Sequence, residues 1–516
     1  MRRRAVRMPA PALVAALTFA MPALQGLVAD AGVAAQSAAG AGARSSRTGA
    51  PAADPDGRAT PAGGEPGTVA AGQAEIAVAT GDFWIALGDT TLERLIRDAL
   101  ESNPDLHVVE AGVRSAGAER LRTALDLAPI VTAAGGYTRQ RLSGSAFPGL
   151  GGSLPDQDVW EAGVAVSWEL DAFGRIRHSV AGRGALLEAA EVAVEDARVR
   201  LAADVADAYF RLRGDQARLD VARQNAENQR RTLALTEDRL GAGRGNALDT
   251  ERARAQLSST LAEIPSLEAV IAASGHRISA LTGRDAGAAP AGLEPGGATL
   301  GFAPLPPLPS GLALSDPVAA ARRRPDVRGA ERRLAAGAAF VGAAKARYLP
   351  RLSISGAAGY TASAFGDLGE TGTPRYAIGP TVSWPLFDLG RVKADVDAAR
   401  AREVAARADY EATVLRAREE ALTALVAYET SRERLLHLED AAAASARATD
   451  LARLRFEEGA SDFLEVLDAE RRLLEAQDRR ESGRSAASAA LVEVFRALGG
   501  AGPGAAGAND PDQEGD

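Results

Sequence analysis

The sequence predicts a mainly α-helical protein with a small β component, organised as two structural repeats. Three observations predict it. Landmark residues recur at nearly fixed offsets, several segments of about nine residues alternate apolar and small or polar positions, and two very long stretches carry heptad spacing.

The duplication organises everything else. Pro104-Asp105 recurs as Pro325-Asp326 and Pro129 as Pro350, both 221 residues on. Trp168 recurs as Trp384, Gly174-Arg175 as Gly390-Arg391 and Gly243 as Gly459, all 216 residues on. Leu281 matches Leu498. The five-residue difference falls between Pro129 and Trp168, where a loop changes length. Each half therefore reads helix, strand, strand, very long helix, glycine turn, helix. The expected layout is a signal peptide over 1–35, a linker over 36–80, a first repeat over 81–285, a second linker over 286–316, a second repeat over 317–500 and a tail over 501–516.

At the N-terminus, Arg2, Arg3, Arg4 and Arg7 precede an apolar run from Ala10 to Val28 that Pro11 and Pro22 interrupt. Val33-Ala34-Ala35 then offers small residues ahead of Gln36. A basic region, an apolar region and a small-residue exit describe a signal peptide, and the prolines suit a membrane-anchor helix poorly. Residues 36–73 are rich in Ala, Gly, Pro and Ser, as expected of an unstructured linker. Beyond the signal no run of 18 apolar residues occurs, so no helix is expected to span a membrane. An exported chain then goes to the periplasm or to the outer membrane, where alternating strands escape hydropathy plots.

Bulk properties narrow the chemistry. The 59 basic and 68 acidic residues give a net charge of −9, and no basic patch interleaved with aromatics points to nucleic acid. Cys is absent, which excludes disulfides, thiolate metal sites and Cys nucleophiles. His107, His178, His276 and His437 are scattered without metal-ligand or triad spacing. Neither an enzyme nor a cofactor site is expected.

The strands are sharply patterned. Trp160, Ala162, Val164, Val166 and Trp168 alternate with Glu161, Gly163, Ala165 and Ser167. Tyr376, Ile378, Pro380, Val382 and Trp384 alternate with Ala377, Gly379, Thr381 and Ser383. Leu352, Ile354, Gly356, Ala358 and Tyr360 form a third apolar row. The fourth segment, from Ile130 to about Arg141, is weakest, because Arg139 and Arg141 share a face with Val131 and Tyr137. In two repeat-related segments an aromatic closes each end of the apolar row: Trp160 and Trp168, then Tyr376 and Trp384. That bracketing favours tilted transmembrane strands with interfacial girdles over a sheet packed on helices. Four strands cannot close a barrel and lipid forbids an open sheet edge, so several chains must pool their strands.

The helices are long. No Pro occurs from Ile176 to Leu240, a span on the order of 95 Å at ~1.5 Å per residue. Alternating steps of four and three residues from Val205 reach Ala208, Leu212, Leu219, Ala226, Gln229, Leu233, Thr236 and Leu240. The second copy steps from Ala421 through Tyr428, Leu435, Ala442, Thr449 and Ala452 to Phe456. These lean seams suit many helices packed round a wide interior better than a two-stranded zipper. Segments 91–127 and 248–281 are also expected to be helical, with a kink at Pro265.

Each long helix ends in a glycine turn: Gly243-Arg244-Gly245-Asn246 in one copy, Gly459-Ala460-Ser461-Asp462 in the other. Gly supplies the helix C′ position, and Asn246 or Asp462 caps the returning helix. Gly241, Gly243 and Gly245 superficially suggest a nucleotide loop, but no βαβ unit surrounds them. Just beyond the second turn, Glu465 and Asp468 share a helix face. Their spacing alone fits a solvated face and a ring of pore-lining carboxylates equally well.

These residues resemble the TolC family of outer-membrane efflux proteins, in particular the NodT-like subgroup serving resistance-nodulation-division (RND) pumps. The likeness runs from about Asp82 to Gly500. It includes Phe83-Trp84 with Asp89 and Leu92, Asn103-Pro104-Asp105-Leu106, and Arg323-Arg324-Pro325-Asp326-Val327 with Ala330-Glu331-Arg332-Arg333-Leu334. Phe456-Glu457-Glu458-Gly459 and Phe463-Leu464-Glu465-Val466-Leu467-Asp468-Ala469-Glu470 complete it. The resemblance implies a homotrimer with a twelve-stranded transmembrane barrel continued by a long α-helical barrel across the periplasm. It implies glycine tips that meet a periplasmic adaptor serving an inner-membrane pump. It also implies that Glu465 and Asp468 line the narrow periplasmic entrance. One departure stands out: many members of the subgroup carry a lipidated Cys after the signal, whereas Leu27 stands at that place here. Anchoring in outer-membrane lipid is then left to the barrel. The expected role is passive export of small molecules such as drugs. Rival readings are a conduit for protein secretion, a periplasmic adaptor and a soluble coiled-coil scaffold.

Overall fold

The computed structural model describes residues 83–84, 87–142, 155–285, 302–309 and 317–500. The expected signal peptide, first linker and tail lie outside the described residues, as does most of the second linker. The elements are α1 (Thr90–Ser102), α2 (Pro104–Leu125), β1 (Ile130–Gln140), β2 (Gln157–Leu170), α3 (Arg175–Gly241), α4 (Ala247–Leu281), α5 (Pro317–Arg322), α6 (Pro325–Ala346), β3 (Arg351–Ala362), β4 (Pro374–Ser383), α7 (Leu389–Glu457) and α8 (Phe463–Ala497).

The structure corrects the sequence reading at two places, and the first has a simple cause. The helix expected over 91–127 is broken at Asn103. Its side chain accepts from the amides of Asp105 at 2.8 Å and Leu106 at 3.1 Å, capping α2, and Pro104 at the first helical position disfavours helical backbone before it. Conversely, Pro265 does not interrupt α4, which runs on through it.

The chain divides into two compact units. The first holds Ala116–Leu186 and Ala335–Val404, hence all four strands. They form one antiparallel sheet in the order β1-β2-β3-β4, so β1 and β4 are edges without a neighbour among the described residues. The registers align side chains of one character. Tyr137, Trp160 and Ala362 share a row, as do Gly135, Ala162 and Tyr360, then Val164, Ala358 and Tyr376, and finally Leu170, Leu352 and Val382. That face is continuous and apolar. The opposite face carries Thr132, Ala165, Ser167, Ser353, Ser355, Thr381 and Ser383. Arg139, which spoiled the alternation of β1, lies at the far end opposite Asp158 and pairs with Asp156 at 3.2 Å. It extends past the apolar band instead of interrupting it.

The repeat is repeated in the locks at the other end of the sheet. The indole N–H of Trp168 donates to the Leu127 carbonyl at 2.8 Å, and that of Trp384 donates to the Tyr348 carbonyl at 3.0 Å. In the same unit, α3 and α6 interlock through paired glycines. A Cβ at Gly182 would lie 2.7 Å from the Phe340 ring, and one at Gly342 would lie 2.8 Å from the His178 ring. His178 is thereby a packing residue.

The second unit holds Leu187–Leu334 and Ala405–Asp516 together with the segment that carries α1. Its core joins Leu92, Leu95 and Ile96 of α1 to Val205, Tyr209, Phe210 and Leu212 of α3, Ile278 of α4, Ala421 and Tyr428 of α7, and Leu491 and Phe495 of α8. Phe495 stacks against Trp84 at 4.6 Å and Phe83 at 5.0 Å between ring centroids. The heptad seams are buried over most of their length, including the polar members Gln229, Thr236 and Thr449, but they open toward the turns, where Leu233 and Phe456 are half-buried and Leu240 is exposed. Toward the turns the apolar core thins to a small cluster of Ala253, Ala452, Phe463 and Val466.

Candidate functional site

The functional residues expected from sequence cluster at the turns joining α3 to α4 and α7 to α8. Both turns have the same construction. Gly243 at φ 72° and Gly459 at φ 75° occupy the left-handed region that closes a helix. The Arg244 amide donates to the Arg239 carbonyl at 2.9 Å, and the Ala460 amide donates to the Arg455 carbonyl at 2.7 Å, the long-range bond of a Schellman end. Asn246 then caps α4 by accepting from the Leu248 amide at 3.0 Å, and Asp462 caps α8 by accepting from the Glu465 amide at 3.2 Å. Gly243, Arg244, Gly245, Asn246, Gly459, Ala460 and Asp462 are exposed, with Ser461 partly covered. A Cβ built at Gly243 or Gly459 meets nothing within 4 Å, so only backbone conformation demands glycine at these two positions.

The two turns are tied together. The Arg239 guanidinium lies 4.1 Å from the centroid of the Phe456 ring and donates to the Phe456 carbonyl at 3.2 Å. Sequence inspection missed this clasp, because its members sit 217 residues apart.

Glu465 and Asp468 lie near the start of α8, Glu465 exposed and Asp468 half-buried. Neither is a bare carboxylate. Glu465 accepts from Arg455 at 2.9 Å, and Asp468 pairs with Arg472 at 2.9 Å. Ion pairs this exposed are worth about 0–1 kcal/mol and are weakened by salt. A third acidic residue, Glu470, behaves differently. It is 3% exposed, accepts from Arg453 Nε at 3.1 Å and Nη2 at 2.9 Å, and accepts from the Thr232 hydroxyl at 2.8 Å. One carboxylate thus joins α3, α7 and α8 one turn from the exposed acidic pair.

Of the expected aromatic positions, Trp160, Trp168 and Tyr376 occupy the apolar face of the sheet, and Trp384 follows directly on the end of β4. Trp160 packs on Tyr137 at 4.6 Å and on Phe365 at 5.2 Å, a partner outside the strands that the alternation pattern did not include. Trp168, Tyr376 and Trp384 are 37%, 86% and 48% exposed. Such large rings in contact with solvent in an isolated chain mark a surface that something else covers. Among the described residues no helix is long and apolar enough to cross a membrane, and no cluster of metal-ligating side chains occurs.

Comparisons with known proteins fit this construction. The family model for outer membrane efflux proteins matches residues 95–284 and again 317–500. The outer membrane protein OprJ of Pseudomonas aeruginosa is 31% identical over 82% of this chain and 87% of its own length. The toluene efflux pump outer membrane protein TtgF of Pseudomonas putida is 32% identical over 80% of this chain and 84% of its own. Among solved structures, the outer-membrane channel OprN superposes with a TM-score of 0.75 at 38% identity, covering 81% of this chain and 92% of that one. Two matches in tandem, at the two copies read from sequence, place the chain in the family of outer membrane efflux proteins, resident in the outer membrane.

Proposed function

We propose that three copies of the chain pool their strands into one twelve-stranded barrel, continued by an α-helical barrel, and that this conduit passively exports small molecules delivered by an inner-membrane RND pump. The observation that carries the proposal is the two-faced sheet with two open edges. An open edge in lipid leaves several backbone groups without partners, each costing several kcal/mol, and closure through further copies removes that cost. The apolar face then meets lipid, with Trp160, Trp168, Tyr376 and Trp384 at its margins. The small and polar face lines the lumen.

The glycine turns at Gly243 to Asn246 and Gly459 to Asp462 are the surface offered to a periplasmic adaptor. Their exposure and their shared Schellman geometry support that role. Glu465 and Asp468 form the acidic constriction at the periplasmic entrance, held partly neutralised by Arg455 and Arg472. Toluene export by the pump of the relative TtgF favours small apolar compounds over secreted proteins as cargo.

Purified protein in a planar bilayer tests the proposal. Discrete conductance with cation preference is expected, and Glu465→Gln with Asp468→Asn is expected to weaken that preference. Recovery of the chain as a soluble periplasmic monomer would end the channel reading. Unchanged conductance and selectivity in the double variant would end the acidic-entrance reading.

A further inference from the structure

The face of the sheet opposite the apolar one is nearly bare. One row across it holds Ile130, Ser167, Ser355 and Gly379, and the next holds Thr132, Ala165, Ala357 and Ala377. Then come Ala134, Gly163, Gly359 and Arg375, followed by Gly136, Glu161 and Thr361. Glu169 and Arg351 stand at the end where β2 leads into α3 and β3 begins, and Glu169 is bonded there to Arg175 at 2.9 Å. Among the described residues of these four rows, Glu161 and Arg375 are the two charges.

These two charges are joined. The Arg375 guanidinium pairs with Glu161 at 3.2 Å, although β3 runs between their strands. Neighbouring strands lie about 4.8 Å apart, so the pair bridges about 10 Å of backbone. Two glycines clear its path. Gly163 and Gly359 approach so closely that a Cβ on either would lie 2.6 Å or 2.4 Å from a carbonyl oxygen, and Gly359 stands directly opposite Arg375. The close approach demands glycine, and glycine leaves no side chain between Arg375 and Glu161. Both partners remain about half exposed, and an ion pair in that setting adds little to stability.

We infer that Glu161 and Arg375 form a self-neutralised charge band on the lumen wall. The band keeps the barrel indifferent to the sign of charge on the solute crossing it and leaves that discrimination to Glu465 and Asp468. The inference rests on the channel proposed above, in which this face lines the lumen and three copies carry three such pairs at one level. A pore with low-dielectric walls focuses field lines, and a ring of like charges in it selects ions. Pairing cancels that field. An anionic solute meets Arg375 with Glu161 beside it, and a cationic solute meets the reverse. Removing either charge alone leaves a ring of one sign on an otherwise neutral wall. A mere brace between β2 and β4 would instead govern the yield of assembled protein and leave ion preference untouched.

Reversal potentials in planar bilayers under a salt gradient separate the two roles. Relative to the unmodified channel, Glu161→Gln is expected to shift the potential toward anion preference and Arg375→Gln toward cation preference. Glu161→Gln combined with Arg375→Gln is expected to keep the unmodified value. Conducting single variants that both leave the potential unchanged, or that shift it in the same direction, would overturn the inference while the channel proposal stands. A second measurement reads the band after assembly and does not depend on a lone charge being tolerated. Because the chain contains no Cys, an introduced thiol is the sole target of thiol reagents. In Glu161→Gln with Arg375→Cys, an anionic and a cationic methanethiosulfonate reagent are expected to shift the potential in opposite directions. Ile378→Cys, on the apolar face, is expected to respond to neither. No shift with either reagent at position 375, or equal shifts at position 378, would overturn the inference. Absence of conductance from the unmodified chain would instead remove the channel proposal, and the charge band with it.

Discussion

Replacing Glu470 with alanine is expected to loosen the turn that carries Glu465 and Asp468. The carboxylate accepts two bonds from Arg453 and one from Thr232, and it is almost fully buried. Breaking a buried ion pair by removing one partner costs about 3–5 kcal/mol, because the remaining charge is left uncompensated. The Arg453 side chain keeps 32% of its surface in water, which places the expected cost near the lower limit, about 3 kcal/mol. That corresponds to roughly a hundredfold rise in local opening. Glu470→Gln retains an acceptor for Thr232 and is expected to cost about 1–2 kcal/mol. Amide hydrogen exchange on the intact assembly reads this directly. Protection over residues 463–475 is expected to fall about a hundredfold in the alanine variant and far less in the glutamine variant, with the Phe495 region unchanged. A fall below threefold in Glu470→Ala would show that the small apolar cluster around Phe463 and Val466 holds the turn by itself.

Three further outcomes follow from the same geometry. Trp168→Phe and Trp384→Phe each remove one indole bond to a backbone carbonyl and should lower stability toward denaturant by about 1 kcal/mol, equally at both sites; unequal losses would contradict the equivalence of the two locks. Gly359→Val should abolish assembly in the outer membrane, since its Cβ would sit 2.4 Å from the Ala162 carbonyl, while Gly136→Ala, which meets nothing within 4 Å, should assemble normally. Tyr209, buried and bonded to Asp89 at 2.5 Å, has its phenol pushed up to about 12 by burial first and by that bond second. The folded state therefore keeps this proton after the unfolded chain releases it near pH 10. Its stabilising contribution is complete below pH 10 and should be lost between pH 10 and about 12, by about 3 kcal/mol. Tyr209→Phe should flatten that part of the alkaline unfolding curve.

The strands were legible because a half-buried sheet imposes a period of two, and because the duplication let one copy confirm the other. Even Arg139, which blurred β1, proved to mark the end of the apolar row. The glycine turns were legible for an equally local reason: positive φ followed by an Asx cap is written in consecutive residues. The contacts that hold the tips together were not. Arg239 on Phe456, Arg455 on Glu465, and Thr232 with Arg453 on Glu470 join separate helices, two of them far apart in sequence, and leave no periodic trace. Glu470 did leave a signal. Phe463, Val466, Glu470 and Leu473 are spaced by three, four and three residues and are all buried. A carboxylate at an inward heptad position must find partners, whereas Glu465 and Asp468 stand off that seam. The break at Asn103 was likewise readable from the Asn-Pro pair that caps and begins α2.

The central claim is that the open-edged sheet closes only by joining further copies. Native mass spectrometry of the complex released from outer membranes tests it most directly. The account predicts a single species of three chains, each of at most 53.1 kDa. A stable species of one chain would contradict it.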